Sequence, residues 1–163
     1  MRKNILPIGL LFLAVNSFAQ TVPSSTENYI YTKTYLSKPG DPVQKLPLES
    51  ITYFDGLGRP KQILNVKSSP AGNDVVTKIE YDGFGRQTKN YLPVPQQGSS
   101  NGAIYGNPLI NVTSTPYGSE KIYSDKVLEN SPLDRIQQQV QVGNDWSNKP
   151  VNFAYGTNKA TEG

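Results

Sequence analysis

From residue 27 onward, apolar and aromatic residues recur at every second position in short runs, and each run ends at glycine, proline, asparagine or serine. The segment "ENYIYTKTYL" (27–36) interleaves Tyr29, Tyr31 and Tyr35 with polar residues. At period two this builds one aromatic face of a strand. "LESITYF" and "KQILNVK" flank a first turn, and "DVVTKIEY" and "QTKNYLPV" flank a second. Their Tyr, Ile, Val and Thr content suits a pleated, half-buried surface, and nothing in these runs sustains a helical period. The pattern predicts an all-β fold of antiparallel β-hairpins in a twisted sheet.

Both turns share Asp-Gly-x-Gly-Arg, in "ITYFDGLGR" (51–59) and "IEYDGFGR" (79–86). Aspartate at the first position of a four-residue turn accepts backbone N–H bonds from the residues ahead. Glycine at the fourth meets a left-handed torsion without a Cβ penalty. The spacing places Tyr53, Phe54, Asp55, Gly56, Gly58 and Arg59 at one hairpin tip (51–66), and Tyr81, Asp82, Gly83, Gly85 and Arg86 at another (79–94). Each arginine begins a return strand, where it can lie against the preceding tyrosine or pair with the turn carboxylate.

Between residues 93 and 119, prolines, glycines, serines and asparagines predict a long irregular loop, loosely packed, with at most a short strand at "LINVT". "SPLDRIQQQVQV" (131–142) supports either a helix capped by Ser131 with Pro132 at its first position, or an alternating strand. Trp146 in "GNDW" is expected to cover the end of the sheet. Residues 156–163 are polar and expected to fray.

The first nineteen residues carry Arg2 and Lys3, an apolar run from Ile5 to Val15, then Ser17 and Ala19. That is the layout of a secretory signal peptide cleaved before Gln20, its apolar run well short of the ~20 residues that span a bilayer. Residues 20–28 are then a flexible lead-in, and the only expected membrane link is export. The whole chain has net charge +3; removing Arg2 and Lys3 from the 16 basic residues leaves 14 against 13 acidic, a net of +1. Basic and acidic residues are interspersed, which argues against a nucleic-acid partner.

Cysteine and histidine are both absent. This removes disulfides, thiol nucleophiles, imidazole bases and the usual zinc sites. Glu80, Asp82 and Asp55 are the carboxylates a glycosidase reading would use, but the two aspartates are accounted for by the turns. No catalytic residue, cofactor or metal is expected.

"YDGFGR" resembles the Tyr-Asp-x-x-Gly-Arg signature of RHS/YD-repeat proteins, and "FDGLGR" is similar with Phe54 in the tyrosine place. Together with "YSDKVLENSPLDRIQQQ" and "GNDW", the chain from Tyr29 to Tyr155 resembles the domain of unknown function at the N-terminus of large secreted bacterial RHS-repeat proteins. The alignment reads a degenerate third copy at 127–142 as strand, with Leu133 and Arg135 in the places of Phe84 and Arg86. Pro132 and Asp134 there replace the glycines, so the same turn geometry is not assured.

The resemblance implies a secreted or cell-surface setting and a shell of β repeats around a C-terminal, often toxic, cargo. With two good copies this chain cannot close such a shell, because each hairpin needs cover from the next. The expectation is a structural and interaction module that caps or docks the N-terminal end of a repeat sheet. Its partner is the remaining repeats of a larger chain or another surface partner. The alternative is a stand-alone carbohydrate-binding module using Tyr29, Tyr31, Tyr35, Tyr105 and Tyr117.

Overall fold

The computed structural model describes residues 20–43 and 45–157. The leader 1–19 and most of the 156–163 tail lie outside the described residues. Among the described residues nine strands run β1 (Asn28–Thr34), β2 (Leu48–Phe54), β3 (Pro60–Asn65), β4 (Val75–Lys78), β5 (Lys89–Tyr91), β6 (Val94–Pro95), β7 (Tyr123–Leu128), β8 (Ile136–Val140) and β9 (Val151–Asn152). The only helical turns among the described residues are short 3-10 segments at Val112–Ser114 and Asn144–Trp146. The class is all-β and antiparallel.

The strands form two sheets rather than one: β1-β2-β3-β4-β6 and β5-β7-β8-β9. β2 and β3 make a hairpin paired along its length, with Ile51 opposite Leu64 and a register shift between Tyr53 and Phe54 next to the turn. The second hairpin, expected over 79–94, closes only at its two ends. Its turn is sealed where Asp82 N–H meets Arg86 O at 2.9 Å, and its base where Val76 faces Val94. Between them the return strand leaves β4 and pairs with β7, Lys89 opposite Asp125. One segment, 89–95, therefore belongs to both sheets and joins them.

Alternation decides the core. Ile51 and Tyr53 on β2, Leu64 on β3 and Val76 on β4 point to one face and are fully buried there. At roughly 1.5–3 kcal/mol for each large apolar side chain, this small cluster supplies most of the hydrophobic stabilisation of the first sheet. It is covered by chain rather than by a second sheet. Residues 98–105 lie across it, so the segment expected to be loose is packed: Gln62 bonds both the N–H and the O of Tyr105 at 2.9 Å. "LINVT" holds a 3-10 turn, not a strand.

Of residues 20–28, expected to be flexible, Asn28 begins β1 and the stretch before it lies against the same cover, with Val22 N–H on Asn101 O at 2.6 Å and Ser24 N–H on the Tyr53 hydroxyl at 3.0 Å. Gly102 is the point of closest approach. A Cβ there would meet Ile51 at 2.9 Å and Thr21 at 2.8 Å, and its φ of +100° is open to glycine.

The second sheet is different. No side chain of β5, β7, β8 or β9 is buried. "IQQQV" is strand β8, and it alternates without burying either face.

Candidate functional site

The Asp-Gly-x-Gly-Arg turns have the same internal bonding. Asp55 Oδ1 accepts the N–H groups of Leu57 and Arg59, each at 2.9 Å, and Asp82 Oδ1 accepts those of Phe84 and Arg86 at the same distance. The second carboxylate oxygen takes the arginine Nε of its own turn, at 2.8 Å in both. Gly58 and Gly85 hold φ of +77° and +80°. The N–H bonds and the adjacent guanidinium keep both aspartates below the usual carboxylate range. Gly56 and Gly83 sit in open space with ordinary torsions.

A third turn of this kind lies between β7 and β8. Asp134 takes φ +48° in the glycine place, and its N–H meets Ser131 O at 3.1 Å, as Gly85 meets Asp82. Pro132 and Asp134 thus do not prevent the turn. The carboxylate that braces it is not at position 131: Glu129 holds Arg135 Nε at 2.9 Å and its N–H bonds Arg135 O at 2.9 Å. Glu129 therefore stands where Asp82 stands, ahead of a loop two residues longer, and Arg135 pulls its pKa down to about 2. Its signal in the sequence is the acidic residue directly after the apolar Leu128.

The arginines do not lie on the preceding tyrosine. Tyr53 is buried under the cover with its hydroxyl on Gly102 O. Arg59 instead stacks on Tyr81 of the next turn, 4.3 Å from the ring centre, and Arg86 reaches Asp134 of the third turn at 2.9 Å and Glu129 O at 3.3 Å. Arg135 stacks on Tyr155 at 4.9 Å. The turns form a ladder in which each arginine braces its own turn and touches the next.

The aromatics proposed as ligand contacts separate into two groups. Tyr105 gives its hydroxyl to buried Asp74 at 2.9 Å, and Tyr117 gives its own to Pro93 O at 2.8 Å, so both are tied into the fold. Tyr29 and Tyr31 stand on the outer strand β1, Tyr29 edge-on to Tyr53 at 6.0 Å, and Tyr35 beyond it is 73% exposed. Phe54, half-buried at the end of β2, opens the first turn. Trp146 does not cover the sheet; it is 51% exposed beside Lys149.

Glu80 binds Lys78 at 2.8 Å, Lys89 at 3.3 Å and the Tyr91 hydroxyl at 2.9 Å. Lys78 first, then Tyr91 and Lys89, hold it below the usual range, the opposite of what a general acid needs. It works as the tie between the sheets at their junction. Among the described residues no three acidic groups cluster as a metal site, and no helix is long and apolar enough to cross a membrane.

A family model described as a domain of unknown function (DUF6443) matches residues 28–157. No curated protein and no solved structure matches the chain.

Proposed function

The chain belongs to the DUF6443 family of domains of unknown function, and we propose that it is a non-enzymatic structural and interaction module capping or docking the N-terminal end of an RHS/YD-type repeat sheet on a secreted or cell-surface protein. The observation that carries this reading is the contrast between the sheets. The first has its own covered core, while the second continues the turn ladder with nothing buried on either face. A sheet so built gains its cover from a neighbour, the arrangement by which repeat proteins share cores. Export by residues 1–19 is part of this reading, and Asp55, Asp82 and Glu129, each held below the ordinary carboxylate range by the arginine of its own turn, fit a structural role.

The test is the behaviour of purified residues 20–163. This reading expects concentration-dependent association in sedimentation and a melt in which the two sheets separate. A chain that stays monomeric and unfolds in one cooperative step would overturn it.

A second reading, carbohydrate binding, is favoured by the row Tyr29, Tyr31 and Tyr35, left exposed on and beyond an edge strand. Titrating a broad glycan panel while following tyrosine and Trp146 fluorescence tests it; silence across the panel would end it.

A further inference from the structure

We propose that the edge of β9 left unpaired among the described residues is the docking edge of the module, and that its occupant is the return strand of a further carboxylate–arginine turn joined in series with this chain. The inference rests on the capping reading and names the contact surface that reading needs.

Its ground is a coincidence of register. Arg59, Pro60 and Lys61 face Tyr81 and Ile79 across β3 and β4: the guanidinium stacks on the Tyr81 ring, the Tyr81 hydroxyl bonds Pro60 O at 3.0 Å, and Ile79 N–H bonds Lys61 O at 3.0 Å. At the far end of the chain, Arg135 stacks on the Tyr155 ring, the Tyr155 hydroxyl bonds Ile136 O at 2.9 Å, and Phe153 N–H bonds Gln137 O at 2.9 Å. All three contacts repeat at the same offsets from the arginine. Tyr155 is therefore placed as Tyr81 is placed, three residues beyond the end of an outgoing strand, and Tyr81 stands one residue before a turn.

After Tyr81 the chain turns at once through Asp82 and comes back. After Tyr155 the sequence reads Gly-Thr-Asn-Lys-Ala, without a carboxylate or an arginine at those offsets. In an antiparallel ladder alternate residues aim their backbone groups to alternate sides. Phe153 aims its N–H at β8, so Asn152 and Ala154 aim theirs at the open side. An exposed edge of this kind templates a further strand.

The experiment supplies the missing turn. Residues 156–163 are replaced by the sequence of residues 55–66, whose return strand pairs directly with its outgoing strand, Ile51 opposite Leu64 and Tyr53 opposite Gln62. Tyr155 is then followed by Asp-Gly-Leu-Gly-Arg, and amide exchange is followed at Asn152 and Ala154, which then stand where Ile51 and Tyr53 stand. Exchange at both should slow by at least about tenfold. A control graft with alanine at the positions taken from Asp55 and Arg59 should not slow it. Unchanged exchange in the graft, or equal slowing in the control, would overturn the proposal.

A peptide of residues 55–66 added to the unaltered chain gives a readout independent of whether the graft folds. Protection of the same two amides supports the proposal; protection only along β1, or protection of Asn152 and Ala154 by self-association of the chain without peptide, overturns it. If the graft protects β9 while the unaltered chain melts as one cooperative monomer, the capping reading fails and the docking edge stands.

Discussion

The guanidinium of Arg59 lies 4.3 Å from the ring centre of Tyr81, while its Nη2 holds Asp55 at 2.7 Å. One side chain thus fixes the shape of its own turn and the position of the next. This coupling should be measurable. Tyr81→Leu removes a cation–π contact worth about 0.5–1 kcal/mol and a hydrogen bond of about 1 kcal/mol. A double-mutant cycle with Arg59→Ala, read from urea midpoints, should return a coupling of about 0.5–1 kcal/mol, and a value of zero would mean that the stack contributes nothing.

The two glycines of a turn should respond oppositely. Gly85 holds φ +80°, and a Cβ there would stand 3.0 Å from Arg59 Nη1, so Gly85→Ala should cost about 1–2 kcal/mol. Gly83 has open space and an ordinary torsion, so Gly83→Ala should be neutral or stabilising by up to about 1 kcal/mol. Thermal melts of the two variants decide this.

Acid should loosen the turn ladder. Asp55, Asp82 and Glu129 all have folded-state pKa values below their ordinary ones. A depressed pKa gives stability that is complete above the unfolded value and lost as pH falls towards the folded one. For Glu129 that window runs from 4.5 down to about 2. Chemical denaturation across this range should show a falling midpoint, and Glu129→Gln should flatten the decline. An unchanged acid limb in that variant would remove Glu129 from the account.

Asp74 should be the most sensitive polar residue. Fully buried, it accepts from Lys67 N–H at 2.8 Å, Ser100 N–H at 2.9 Å and the Tyr105 hydroxyl at 2.9 Å. Asp74→Ala strands these donors at about 1–3 kcal/mol for each one left unsatisfied. The variant should lose about 3 kcal/mol or more and become open to proteolysis within residues 96–105.

The all-β class was legible because aromatic and β-branched residues crowd short runs such as "NYIYTKTY" and "ITYF", where no helical period is sustained. The turn geometry was legible where aspartate and glycine carry it locally. Three features were not. The return strand of the second hairpin pairs Lys89 with Asp125, a choice made by partners far away in sequence. Glu129 was hidden because aligning the third copy on Arg135 assumes equal loop length, while the loop is two residues longer. The cover over Tyr53 was hidden because residues 98–105 carry turn chemistry, and what orders them is buried Asp74, which reads in sequence only as the residue before a strand.

The most direct test of the account compares amide exchange in the two sheets of purified residues 20–163. The ladder amides of β7 and β8 should exchange at least about tenfold faster than those of β2 and β3, because only the latter lie over a buried core. Equal protection of both sheets in a monomeric chain would mean that the second sheet is stable without a neighbour, and would contradict the reading of this domain as a module completed by what it docks.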